Sequence, residues 1–259
     1  MRAPGFRSRL VVAHRGASAT EPENTLVAFD AAFTAGADAV ELDVRLTSDG
    51  VPVVLHDPEV SRATGGAGLV HEMTLAEVKR LDASRGRGPR QEVPTLAEVL
   101  ETVGDRGGVD LEIKNLPGEP AFDSPRESVL EATLEALEKA AFPGPVLVSS
   151  FNWLTIERCK QIAPELPTGF LTIAAIDAHA ALVYARGGGH DFVLPQTPAV
   201  LQAGRELVEE AHRDGVRVGT WVADDPAVLE TLFTWGIDAV ACNDPAAAVS
   251  IRGRVDGAQ

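Results

Sequence analysis

The chain is 259 residues long, 45% hydrophobic and 24% charged, proportions that exclude wholesale disorder, collagen-like repeats and a disulfide miniprotein. Twenty-three Lys and Arg stand against 38 Asp and Glu, a net charge of −15 at pH 7. Nucleic acid is thereby excluded as a general partner, because a polyanion is bound largely by positive charge; any anionic substrate would need a local positive site built against the protein's own field.

Arg2, Arg7 and Arg9 open the chain like the basic start of a signal peptide. The apolar stretch that follows, Leu10 to Ala13, is too short for an apolar region of roughly 7–15 residues. It reads as a first strand, Leu10–His14, of a cytoplasmic protein. Leu26, Phe29, Ala32 and Phe33 then recur at helical spacing. A second strand is expected over Ala39–Leu46. Thr47-Ser48-Asp49-Gly50 carries the Asp-Gly hairpin signal, so Val51–His56 is expected as an extension at the rim. Residues 57–93 lack a strand–helix unit and contain two Gly-rich stretches; they read as a small insertion.

Beyond it, Thr95-Leu96-Ala97-Glu98 has the form of a helix capping box. Strands are expected over Val109–Lys114, Val146–Ser150, Gly169–Ile173, Phe192–Pro195, Val216–Val222 and Ala239–Asn243. Helical spacing lies between them at Leu130, Leu134 and Leu137, and again at Leu201, Leu207, Val208 and Ala211. Gly36, Gly104, Gly215 and Gly236 fall where helices should stop. Residues 252–259 read as a frayed tail, and no internal repeat stands out. No run approaches the ~20 apolar residues of a membrane span. Cys159 and Cys242 are too few for a disulfide framework.

With the extension set aside, eight strands alternate with helices. That pattern implies a parallel sheet, and eight units suffice to close a TIM (β/α)8 barrel with a small insertion after the second strand. The whole chain, 1–259, is read as one such domain; an open doubly wound sheet is the alternative.

In a TIM barrel the active site lies at the C-terminal ends of the strands. Those ends hold His14-Arg15-Gly16, Glu41 and Asp43, His56-Asp57, Glu112 and Lys114, Trp221, and Asn243-Asp244. Residues two apart on a strand share a face, which pairs Glu41 with Asp43 and Glu112 with Lys114. Carboxylates about 4 Å apart repel by several kcal/mol per pair at an effective dielectric of 20. A divalent cation removes that cost, and an all-oxygen donor set suits Mg²⁺ or Ca²⁺. The competing reading pairs the acids with Arg15, Arg45 or Lys114. His14 and His56 are the candidates for moving protons, since His titrates near neutral pH. Arg15 and Lys114 would supply positive charge for a phosphate. His71, His179, His190 and His212 are read as surface residues.

These pieces, taken in order, carry a pattern. His14-Arg15-Gly16, Pro22-Glu23-Asn24-Thr25, Glu41-Leu42-Asp43-Val44, Leu55-His56-Asp57 and Leu111-Glu112-Ile113-Lys114 make the chain resemble the glycerophosphodiester phosphodiesterase family. The resemblance implies His14 and His56 as acid and base, Glu41, Asp43 and Glu112 as ligands of one divalent cation, and Arg15 and Lys114 on the phosphate. It also places Trp221 in the substrate pocket, where Phe151 would add an apolar wall. Family members often follow that tryptophan with Thr-Val-Asn, whereas here Val222, Ala223 and Asp224 follow. The implied reaction hydrolyses a small glycerophosphodiester to glycerol 3-phosphate and an alcohol. Which histidine is the base, whether water or the glycerol hydroxyl attacks, the head group, and monomer against homodimer all stay open.

Three other functions compete. A phosphodiesterase of the same scaffold acting on lysophospholipids or sphingolipids, phospholipase D-like, would favour exposed apolar rim loops; Leu69, Val70 and Met73 form the main apolar patch of the insertion. A metal-dependent amidohydrolase would need an H-x-H on the first strand, which is absent. A barrel that only binds phosphorylated ligands would lack one of the five acid and histidine positions, and all are filled.

Overall fold

In the computed structural model residues 9–258 are described; Arg2 and Arg7 lie outside them. Their strands are β1 Leu10–His14, β2 Ala39–Leu46, β3 Pro52–Val54, β4 Gly108–Ile113, β5 Val146–Ser150, β6 Thr168–Thr172, β7 Phe192–Pro195, β8 Arg217–Thr220 and β9 Ala239–Cys242. Eight of these pair in parallel in the order β1-β2-β4-β5-β6-β7-β8-β9, and β9 pairs back onto β1 with Leu10 opposite Ala239. The sheet therefore closes, helices lie between successive strands, and the fold is a TIM (β/α)8 barrel rather than an open sheet.

Alternation along each strand explains the closure. Val11, Ala13, Val40, Leu42, Val44, Val109, Leu111 and Ile113 are buried in clusters with the outer helices. Leu10, Val12, Ala39, Leu147, Leu171, Phe192, Leu194 and Ala239 fill the barrel interior. A strand buried on both faces reads as a nearly continuous apolar run, so the polar positions that interrupt β2 and β4 need another reason. The rim extension is as expected in kind: β3 runs antiparallel to β2, with Val44 opposite Val54. It is shorter than expected, three residues, although the Leu55 amide still donates across to Asp43 O at 2.9 Å, and the Val54 amide turns to Pro94 O at 2.9 Å.

Three expectations need correction. The helix expected across Leu201 to Ala211 is two, Thr197–Ala203 and Arg205–Arg213; Gly204, at φ 78° and ψ −172°, breaks it in a conformation only glycine adopts readily. Residues 252–257 are not frayed. They complete the helix Pro245–Gly257, in which Ile251 and Val255, four apart, are buried and Arg252 pairs with Asp38; Gln259 lies outside the described residues. His190 is buried, 2.9 Å from the Thr168 hydroxyl and stacked on Tyr184. In the insertion, Leu69 and Met73 are half-buried and Val70 is buried.

Between 57 and 93 lie the helices Ser61–Thr64 and Leu75–Val78 and a 3-10 turn, Val70–Glu72. They gather around a core of their own that includes Val53, Leu55, Val60, Val78 and Val93. Both cysteines are free and buried. Among the described residues no helix is long and apolar enough to cross a membrane.

Candidate active site

Strand register brings the acids together. His14 lies opposite Glu41, Glu41 opposite Asp110, and Asp43 opposite Glu112. Oxygens of Glu41, Asp43 and Glu112 lie within 4.8 Å of one another, and all three residues are buried.

The three carboxylates are not compensated alike. Asp43 Oδ1 lies 2.8 Å from Lys114 Nζ, and Asp43 Oδ2 lies 3.2 Å from Arg15 Nε. Asn24 Nδ2 also donates to Asp43 Oδ2 at 2.7 Å. Burial disfavours the charge on Asp43, but Lys114 and Arg15 outweigh it and hold the carboxyl well below its usual range. Glu112 pairs with Lys114; burial still pushes its carboxyl up. Glu41 accepts from the Arg15 amide at 3.0 Å through Oε2, whereas its Oε1 is buried with no hydrogen-bond partner. Burial, together with the charges of Asp43 and Glu112, pushes the Glu41 carboxyl far above its usual value. The competing ion-pair reading is thus met for Asp43 and Glu112 and not for Glu41. Arg45 takes no part, since it binds Glu119 at 2.6 Å and His56 O at 2.8 Å. An all-oxygen trio with one buried oxygen, Glu41 Oε1, that has neither a hydrogen bond nor an ion pair among the described residues fits a hard cation.

The turn after β1 is built to aim these groups. Arg15 and Gly16 are both left-handed, at φ 56° and 81°. A Cβ on Gly16 would come within 2.6 Å of the Ala28 carbonyl carbon. The turn sends the Arg15 side chain back to Asp43 and to Glu23, 3.1 Å away. Glu23 also binds Arg62 at 2.7 Å. Asn24 takes a left-handed φ of 56°, which Asn tolerates. Thr25 caps the helix Leu26–Thr34 by accepting from Ala28 N. These contacts tie Pro22-Glu23-Asn24-Thr25 to the turn His14-Arg15-Gly16.

The two histidines stand in different company. His14 Nδ1 is 2.8 Å from Asn243 Oδ1, and its Nε2 is 4.0 Å from Glu41 Oε2. Burial, with Arg15 beside it, lowers its pKa to about 4. His56 Nδ1 donates to Asp57 Oδ1 at 2.5 Å, and Asp57 is held in turn by Arg62. Burial lowers the His56 pKa too, while Asp43 and Asp57 oppose that.

Trp221 and Phe151 meet edge to face, with ring centroids 5.2 Å apart, and Trp221 Nε1 donates to Leu194 O at 3.0 Å. Lys114 Nζ lies 6.0 Å from the Phe151 centroid. A cavity runs from the mouth down the barrel, lined by His14, Glu41, Glu112, Trp221 and one acid that the sequence reading passed over, Asp110. Asp110 shares its face of β4 with Glu112 and accepts from Ser149 Oγ at 2.6 Å. Burial raises its pKa to about 7. The same two-residue alternation that singled out Glu41 and Asp43 would have found it.

A family model described as the glycerophosphoryl diester phosphodiesterase family matches residues 14–247. A glycerophosphodiester phosphodiesterase of Caldanaerobacter subterraneus subsp. tengcongensis is 36% identical over 252 residues, covering 93% of this chain and 97% of its own. One from Bacillus altitudinis is 32% identical over 256 residues, covering 93% and 97%. Among solved structures, a phosphodiesterase of Oleispira antarctica in complex with the product sn-glycerol-3-phosphate superposes with a TM-score of 0.83 at 31% identity, covering 93% of this chain and 96% of that one. By matched length, barrel and site alike, the chain belongs to the glycerophosphoryl diester phosphodiesterase family.

Proposed function

We propose that this chain is a cytoplasmic, single-domain enzyme that hydrolyses glycerophosphodiesters to glycerol 3-phosphate and an alcohol. The observation that carries this reading is the buried trio Glu41, Asp43 and Glu112, in which Glu41 Oε1 has no hydrogen-bond partner, set beside His14. The product bound by the Oleispira antarctica relative supports it.

Glu41, Asp43 and Glu112 would hold one divalent cation, Mg²⁺ or Ca²⁺. When bound, such an ion neutralises phosphate charge and polarises the reacting centre. The remaining work belongs to the chain's own side chains. Arg15 and Lys114 contact the phosphate, the first through its planar fork and the second as a point charge. Trp221 and Phe151 wall the organic part of the diester. His14, backed by a neutral amide, takes the proton from the attacking oxygen. His56, backed by the Asp57 carboxylate that stabilises an imidazolium, gives a proton to the departing alkoxide. The lipid-diester alternative loses its support from the insertion, because Val70 is buried and Leu69 and Met73 are half-buried.

A coupled assay of glycerol 3-phosphate release over a panel of head groups, with and without EDTA, tests the reading. Release should stop in EDTA and return with Mg²⁺ or Ca²⁺. No release from any member of the panel overturns the activity, and full activity in excess EDTA overturns the cation. His14→Ala and His56→Ala should each lose ~10²–10⁴ in kcat with an unchanged melting curve. Near-normal turnover would remove that histidine from the mechanism.

A further inference from the structure

The departure of this chain from the Trp-Thr-Val-Asn pattern has a structural counterpart. Asp224 stands where family members often place the asparagine, and its carboxylate faces the end of β9. Asp224 Oδ1 accepts from the Asn243 amide at 2.7 Å, and Asp224 Oδ2 accepts from Asn243 Nδ2 at 2.6 Å. Asn243 Oδ1 is consequently turned the other way, towards His14 Nδ1 at 2.8 Å and the Ser18 hydroxyl at 2.9 Å. Ser18 Oγ is itself 2.8 Å from His14 O.

Hydrogen-bonding capacity makes this arrangement one-directional. A carboxylate only accepts, so the group of Asn243 that faces Asp224 must be its NH₂. The group that faces His14 must then be the carbonyl oxygen, which also only accepts. His14 Nδ1 must therefore carry a hydrogen, and the lone pair of the neutral ring falls on Nε2, the atom on the Glu41 side. Were residue 224 an asparagine, it could present either end of its amide, and the orientation of Asn243 would not be dictated.

The geometry points to Asp224 as a positioning residue that sets the tautomer of His14 through Asn243. Resting on the reading of His14 as proton acceptor, this assigns Asp224 and Asn243 the task of keeping its accepting nitrogen turned into the cavity.

The tautomer can be read without catalysis. Nitrogen NMR of metal-free, substrate-free protein with labelled histidines, the His14 signal assigned by its loss in His14→Gln, should show hydrogen on Nδ1 in the parent. In Asp224→Ala the signal should move towards the Nε2–H form. In parallel kcat should fall about tenfold, part of the ~10²–10⁴ of a general base, with KM within about twofold. Asp224→Glu, which keeps an accept-only group, should restore the Nδ1–H signal. An unchanged His14 signal in Asp224→Ala overturns the proposal whatever happens to the rate; if that variant does not fold, Asp224→Ser is read by the same criterion. A parent protein that hydrolyses no glycerophosphodiester overturns the function proposed above and leaves the tautomer result standing.

Discussion

Gly16 holds two constraints at once. Its φ of 81° is costly for any residue with a Cβ, and the space a Cβ would take is already filled by the Ala28 backbone. Gly16→Ala should therefore cost at least ~1–2 kcal/mol from the conformation alone, read in urea unfolding. It should also lower kcat, because the Arg15 amide that binds Glu41 belongs to the same turn. Unchanged stability would show that the turn relaxes freely. Asp110 offers a pH signature. Its pKa near 7 in the folded chain lies above the unfolded value of about 3.9. The neutral form thus favours the native state at low pH, and that contribution is lost as pH rises from about 4 to about 7. In chelator, Asp110→Asn should gain on the parent across that window and hold a constant advantage above it. A pH-independent difference between the two would count against the raised pKa.

Helices and strands were legible to different depths. Leu10–His14, Ala39–Leu46, Val146–Ser150 and Phe192–Pro195 match the sequence reading to the residue; Leu10–His14 and Phe192–Pro195 are short, mostly apolar runs with polar residues on either side. Val216–Val222 contracts to Arg217–Thr220, with Trp221 just beyond the strand end still bridged to Gln196. The Thr95 capping box is present as read. Its twin passed unnoticed: Thr74-Leu75-Ala76-Glu77-Val78 repeats residues 95–99 and forms the same box on a much shorter helix. Of the site, the acids and histidines could be found on strand ends. Asp110 was legible too, by the alternation it shares with Glu112 on β4; the roles of Asn24 and Asp224 were not, since they depend on turns and on contacts between distant segments. Thr95→Ala should cost about 1 kcal/mol in denaturant unfolding. A value near zero would mean that packing of Leu96, Val99, Leu100 and Val103 holds that helix without its cap.

Over the whole molecule the net charge of −15 opposes the approach of an anionic diester. The positive groups at the site, Arg15 and Lys114, are already paired with carboxylates. Added salt screens the long-range repulsion with a Debye length of about 10 Å at 0.1 M. The value of kcat/KM should rise between 10 and 150 mM salt, since encounter with a like-charged protein is slowed at low ionic strength. A fall over that range would reveal a steering field of the opposite sign at the barrel mouth.

The partners His14 and Asn243 are 229 positions apart, one at the end of the first stave of the barrel and the other just past the last. A polypeptide emerging from the ribosome contains Glu41, Asp43 and Glu112 long before it owns the amide that steadies His14. Premature termination anywhere before β9 leaves His14 without its Asn243 partner and the barrel without the strand that closes it onto β1. Two pieces cut between β5 and β6 would each be inert, and mixing them would switch hydrolysis on only where the ring is rejoined.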